Sequence, residues 1–196
     1  MLFNYEYDRK LRVGYIGSGE LSFRSILPCF QYAPLDLVAL ADEDTERGLA
    51  VARQFGARHF YPNHKAMLAK ENMDAVFVVV GMDADGRPRC TEIAAEALRA
   101  GFHTWVSPPP CFDSSEIQTL TEACMVSHKY VMAGFKRMFA PAYVKVAEII
   151  EDRAFGTSSF YLCYPLSLPP KASREDGLAR STFLEFLHPY SLLMRL

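Results

Sequence analysis

The sequence predicts a doubly wound α/β fold, in which a parallel sheet is covered by helices on both faces and followed by the beginning of a second α/β domain. Three observations carry this expectation. Apolar runs of strand length alternate with segments of helical period along most of the 196 residues. A glycine-bearing turn, Gly17-Ser18-Gly19, stands between the first such run and a helical segment. Residues 75–80, Ala-Val-Phe-Val-Val-Val, are apolar at every position, as a central parallel strand buried on both faces requires.

The elements follow in order. The first strand spans 11–16 and feeds a helix over about 20–32, whose Leu21, Ile26, Leu27 and Phe30 recur at helical spacing. A second strand covers 35–41. Asp44 is placed to cap the next helix, and Gly56 to close it after Phe55. A short strand near 59–60 and a helix over 64–70 precede the apolar strand 75–80. A polar loop, 81–88, leads to a helix over 89–100 that Gly101 closes. A fifth strand, 102–106, runs into Pro108-Pro109-Pro110, where ladder pairing must stop. Asp113 and Glu116 have capping-box spacing and open a helix to about His128. A sixth strand covers 130–133, Pro141 suits the first turn of a helix ending near Glu151, and one more alternating strand is expected over 157–164. The boundary between domains is expected at 138/139.

Composition narrows the function classes. Half of the residues are hydrophobic and 22% are charged, enough to bury a sizeable core. A formal net charge of −2, with dispersed Lys and Arg, gives no footprint for nucleic acid or an anionic membrane. No apolar run reaches the ~18 residues of a spanning helix, and the amino-terminal residues do not resemble a signal peptide. Five cysteines lack Cys-x-x-Cys spacing and read as reduced thiols, so a cytoplasmic location is expected. The histidines show no metal-ligand spacing, and no metal is expected. Neither a Gly-x-Ser-x-Gly elbow nor a phosphate-binding P-loop sequence is present.

The glycine turn and the acids after the second strand read as a dinucleotide site, the plainer reading being a tight turn and a solvated helix start. Gly17 permits a tight turn, and Gly19 lets backbone approach a pyrophosphate at a helix amino end. Ser22 stands at the third fingerprint position, where glycine or alanine is usual, and is expected to widen the helix–strand packing slightly. Asp42, a little over twenty residues on at the end of the second strand, is placed to accept hydrogen bonds from adenosine ribose hydroxyls. Asp42, Glu43 and Asp44 together repel a 2′-phosphate, so NAD is expected in preference to NADP.

With these residues in place, the chain resembles the glucose-fructose oxidoreductase, inositol dehydrogenase and MocA family from about Leu11 to His188. The resemblance rests on Val38-Ala-Leu-Ala-Asp42, Met73-Asp-Ala-Val-Phe-Val-Val-Val80, Ala97-Leu-Arg-Ala-Gly-Phe-His103 and, most specifically, Gly134-Phe-Lys-Arg137-Met-Phe139-Ala-Pro141-Ala-Tyr143. It implies a Rossmann-type domain followed by an α/β domain that shapes the substrate pocket and often pairs subunits. It also implies hydride exchange between NAD(P) and a sugar, cyclitol or similar small molecule. Carried over, the cofactor set is Gly17, Ser18, Gly19, Glu20, Leu21, Asp42, Gly81, Ser107, Pro108 and Arg137.

The resemblance breaks at the proton-handling group. Ser107-Pro108-Pro109 replaces the family's Glu-Lys-Pro, and proline has no exchangeable proton. Cys90 stands where a histidine is usual, and Leu184 and Ser191 flank His188 where acidic residues are common. Lys136 and His188 are the candidates to replace the lost lysine. Lys136 also reads as an exposed amine or phosphate contact, and His188 as a satisfied histidine at a helix start. Cys111 and Tyr164 read as packing. The expected function is therefore an NAD(P)-dependent oxidoreductase with altered acid/base chemistry. The alternative is a catalytically inactive relative that senses a dinucleotide or serves as a protein-interaction module. An apolar helix over 183–196 leads us to expect self-association into a homo-oligomer.

Overall fold

The computed structural model describes residues 3–83, 87–152, 156, 187, 189–191 and 194. The expected strand 157–164 and most of the helix 183–196 lie outside them, as do His188 and Tyr164. The chain divides into two compact units, Met1–Ala133 and Gly134–Leu196.

The first unit holds one six-stranded sheet in the order β3-β2-β1-β4-β5-β6. Its strands are β1 (Leu11–Ile16), β2 (Leu35–Ala41), β3 (His59–Tyr61), β4 (Ala75–Val78), β5 (His103–Val106) and β6 (Val131–Ala133). Every neighbouring pair is parallel, so all the strand carboxyl ends lie along one edge. The connecting helices are α1 (Thr45–Phe55), α2 (His64–Lys70), α3 (Cys90–Arg99) and α4 (Ser114–Ser127). The order reverses at β1, whose neighbours are β2 and β4, and a crevice opens at such a switch point.

Alternation along the strands divides the core between the two faces. Val76 and Val78 of β4 pack with Ile16, Met67, Ala94 and Leu98 on one face. Ala75 and Phe77 meet Val13, Tyr15, Leu27 and Val51 on the other. Each fully buried Val or Leu contributes about 1.5–3 kcal/mol. An aromatic row crosses the second face, with Tyr15 stacked on Phe77 at 6.0 Å between centroids and Phe77 on Trp105 at 5.2 Å.

Local signals set the helix ends. The Asp44 side chain accepts from the Arg47 backbone N–H to start α1, and Gly56, at φ 75°, ends it in the left-handed conformation. Asp113 caps α4 by accepting from the N–H groups of Ser115 and Glu116. The reciprocal half of a capping box is absent, because the Glu116 carboxylate accepts from Phe112 instead. His128 closes α4 at φ 54°.

Two expectations are corrected. The segment 20–32 is not one regular α-helix: after Glu20 and Leu21 it winds as a π-turn, Ser22–Ile26, then a 3-10 helix, Leu27–Tyr32. Pro28 has no N–H for an i→i−4 bond and its ring crowds the preceding turn, so the regular ladder cannot continue through it. The strand expected over 75–80 pairs as β4 only to Val78, beyond which the Val79 N–H still reaches Ile16 O at 2.9 Å.

The second unit contains, among the described residues, a 3-10 helix, Lys136–Phe139, and α5 (Pro141–Glu151), with Pro141 at its first turn as expected.

At the opposite edge of the sheet, Asp74 ties β4 to β1. Its Oδ2 accepts from the Arg12 backbone N–H at 2.8 Å and its Oδ1 from Arg12 Nη2 at 2.7 Å. Arg12 holds the Asp74 carboxyl at about 2, well below the ordinary carboxylate value. A depressed folded-state value adds stability that is fully present above the unfolded-state value and is lost as pH falls through about 2. Because both side chains are over a third exposed, solvent screening limits the effect. Asp74→Asn is expected to cost about 1 kcal/mol at neutral pH and to remove this acid dependence, as read by urea denaturation between neutrality and low pH.

Candidate functional site

The cleft begins with the turn after β1. The Gly17 N–H donates to Ala41 O at 2.8 Å, fastening β1's end to β2. Gly17 sits at φ 100°, and a Cβ there would lie 2.1 Å from Val79 O, so conformation and packing both demand glycine. Ser22 does more than widen the packing. It is fully buried, and its hydroxyl donates to Gly17 O at 2.8 Å. Beneath it Tyr15 is also fully buried, its hydroxyl without a hydrogen-bond partner among the described residues, and burial pushes that phenol up.

Gly19 and Gly81 are glycines of another kind. A Cβ added to either meets no atom within 4 Å, and neither has a positive φ. Among the described residues of the first unit, nothing requires glycine at these positions. Both line a cleft of about 410 Å³ at the carboxyl ends of the strands, together with Gly17, Asp42, Val79 and Val80.

Asp42 is the most heavily engaged group there. Its side chain is 8% exposed. Oδ2 accepts from the Ser18 N–H at 2.5 Å and the Ser18 hydroxyl at 2.7 Å. Oδ1 accepts from the Asp44 N–H at 2.8 Å and from Arg47 Nη2 at 3.1 Å. Burial alone would raise this carboxyl, but the bonds from Ser18 and Asp44 and the Arg47 charge hold it below the ordinary value.

Sequence reasoning missed the cations of this cleft. Arg47 Nη1 pairs with Asp44 at 3.2 Å, and its Nε donates to the Ser18 hydroxyl at 3.1 Å. Arg89 Nη2 pairs with Glu43 at 2.8 Å. Each acid of the Asp42-Glu43-Asp44 triplet thus has an arginine partner. Arg47 was legible as the third residue of a helix capped by Asp44; Arg89 comes from the loop after β4 and has no local signal. His64, at the start of α2, also lines the cleft and pairs with Glu96 at 2.8 Å.

The other expected residues are placed as follows. Ser18 lies buried behind the cleft lining, bonded to Asp42. Glu20 and Leu21 are exposed at the helix start, Glu20 paired with Arg24 at 3.3 Å. Ser107 is buried and its N–H donates to Val78 O at 3.0 Å; Pro108 follows, half-buried, and neither lines the cleft. Lys136 and Arg137 are exposed on the 3-10 helix of the second unit, and His188 lies outside the described residues.

After β5 the structure builds a turn of prolines, Pro108–Pro110. Cys90 is buried, and its thiol reaches Pro109 O at 3.3 Å and Pro110 O at 3.5 Å. The Thr91 hydroxyl lies 3.0 Å from Pro110 O and 3.1 Å from Glu116 Oε2. Burial pushes the Cys90 thiol up to about 12, so it is a neutral tie and not a nucleophile or base. Burial likewise raises Cys111.

A family model described as an oxidoreductase family with an NAD-binding Rossmann fold matches residues 11–135. The chain is 26% identical over 161 residues to D-xylose 1-dehydrogenase (NADP(+)) 2 of Haloferax volcanii, covering 81% of this chain and 47% of that protein. It is 26% identical over 153 residues to inositol 2-dehydrogenase of Acidothermus cellulolyticus, covering 76% and 43%. A 3-ketoreductase from Actinomadura kijaniata, solved with NADP and TDP-benzene, superposes with a TM-score of 0.63 at 25% identity, over 73% of this chain and 42% of that one. Myo-inositol 2-dehydrogenase from Lactobacillus plantarum shares the fold at a TM-score of 0.61 and 23% identity, over 76% and 43%. The chain spans about half the length of the curated relatives it matches. From Leu11 through the glycine turn, the six strands and Phe135, it belongs to the NAD(P)-binding oxidoreductase family of glucose-fructose oxidoreductase, inositol dehydrogenase and MocA.

Proposed function

We propose that the chain binds NAD(P) in the cleft over β1, β2 and β4 and takes part in hydride transfer to or from a hydroxyl or carbonyl of a sugar-like small molecule. The observation that carries this reading is the pair Gly19 and Gly81, cleft glycines for which the described residues of the first unit give no reason. Close approach of a ligand to the backbone supplies the missing reason. Gly17 and Ser22 hold the turn, Gly19 gives the pyrophosphate room, and the acids after β2, with their partners Arg47 and Arg89, face the adenosine ribose. The nicotinamide, when bound, supplies the hydride chemistry.

In this reading residues 1–138 form the cofactor domain and 139–196 begin the substrate domain, which also pairs subunits in a homo-oligomer. Relatives named for inositol, xylose and a dTDP-sugar support a polyhydroxylated substrate. The described cysteines are free thiols, which suits a reducing cytoplasm. The acid triplet remains an argument for NAD, but its repulsion of a 2′-phosphate is offset by Arg47 and Arg89. Proton transfer cannot use Pro108 or the neutral Cys90, which leaves Lys136 and His188 as the candidates.

Trp105, the sole tryptophan, ends one residue short of β5's last position and reports binding by energy transfer to reduced nicotinamide. The wild type is expected to bind NADH or NADPH with a micromolar Kd. Gly19→Ala is expected to weaken both by about tenfold or more while shifting stability by only about 0.5 kcal/mol, because the added Cβ meets no atom of the described residues within 4 Å. Failure of the wild type to bind either dinucleotide sinks the proposal.

Turnover of a sugar and cyclitol panel tests the chemistry. Lys136→Ala is expected to lower the rate by about 10²–10⁴ if its amine moves the proton. Pro108→Lys is expected to raise turnover, and an unchanged rate counts against the loss of that lysine as the limiting change. Tight dinucleotide binding with no turnover in any variant would favour the sensor alternative.

A further inference from the structure

We infer that Arg47 sets the cofactor preference of this cleft, by guarding the Asp42 carboxylate against a ribose 2′-hydroxyl and offering its guanidinium to a 2′-phosphate. The inference rests on the reading of the cleft as an NAD(P) site and concerns which of the two forms it holds.

A carboxylate has about four acceptor positions, and Asp42 already fills them with the Ser18 N–H, the Ser18 hydroxyl, the Asp44 N–H and Arg47 Nη2. A ribose hydroxyl can bond to Asp42 only by displacing one of these donors. Two are backbone groups fixed by the glycine turn and by the cap of α1. The Ser18 hydroxyl is buried between Asp42 and Arg47. Arg47, 51% exposed, is the donor free to move. An unphosphorylated ribose therefore costs the Arg47–Asp42 contact and leaves a guanidinium to be re-solvated.

A 2′-phosphate reverses the balance. It need not take any position on Asp42, because it brings its own acceptors to the solvent side of the same guanidinium. Arginine's planar fork suits phosphate, and such charge-assisted bonds are roughly twice as strong as neutral ones. Glu43, 74% exposed, can swing away from Arg89 and release a second guanidinium toward the same phosphate. The acid triplet is a weaker barrier than its sequence suggests, because Arg47 and Arg89 offset two of its three charges.

The test is a pair of fluorescence titrations, NADPH and NADH, on the full chain and on Arg47→Ala, with urea denaturation of both proteins. Losing the guanidinium is expected to weaken NADPH by about tenfold or more. NADH is expected to bind as tightly as before or more tightly, since Asp42 gains a free acceptor. Arg47→Lys, which keeps the charge and loses the fork, is expected to fall between. Equal weakening of both dinucleotides, or NADPH binding unaffected by Arg47→Ala, overturns the role of Arg47 while leaving the NAD(P) site standing. A wild type that binds neither overturns the site itself, and this inference with it.

Discussion

The Asp42 carboxylate is the knot of the cofactor half of this protein. It stands at the end of β2 but holds the turn at the end of β1, through both the N–H and the hydroxyl of Ser18. Hydrogen bonds to an ionised acceptor contribute about 1.5–3 kcal/mol each. The same carboxylate accepts from the Asp44 N–H, which places the Asp44 cap that starts α1. Turn, strand end and helix start are thus fixed by one nearly buried side chain. The fingerprint glycines can then be read as consequences. Gly17 is squeezed between this tie and Val79 O, whereas Gly19 stays open because the turn is held from behind.

Charge at this end of the cleft illustrates why a sequence and its structure give different arguments. Read along the chain, Asp42-Glu43-Asp44 is a run of like charges facing any incoming phosphate. In the fold, Arg47 reaches back one helical turn and Arg89 reaches across from the loop after β4, so the run is paired. The first of these contacts follows from helix periodicity and was within reach of the sequence. The second depends on β1 lying between β2 and β4, and no spacing along the chain encodes it.

The same division runs through the fold. β2, Leu35–Ala41, and α1, Thr45–Phe55, are legible to the residue, because an apolar run, an aspartate cap and a closing glycine are all local. The segment 20–32 is not, although its apolar residues recur at helical spacing. There Pro28 removes a donor in mid-segment, and the chain winds first as a π-turn and then as a 3-10 helix. Ser22 belongs to this distortion. At a position where a small residue packs helix on strand, its hydroxyl instead pins Gly17 O, which the sequence could show only as a departure from pattern.

The carboxyl end of β5 poses the chemical question. Oxidising a hydroxyl by hydride transfer requires a group to take the hydroxyl proton, and Pro108, which the sequence resemblance aligns with the family's lysine, cannot take it. The acids around Asp42 cannot stand in. β2 and β5 are separated by β1 and β4, three strand spacings of about 4.8 Å each, or roughly 14 Å. The groups nearest the proline turn are committed to building it: Cys90 and Thr91 satisfy the carbonyls of Pro109 and Pro110, and Glu116 accepts from Phe112. Such a turn is poor in groups able to relay a proton. Among the described residues the proline turn supplies no proton carrier, so Lys136 and His188, in the segment after β6, are the ones proposed for that role.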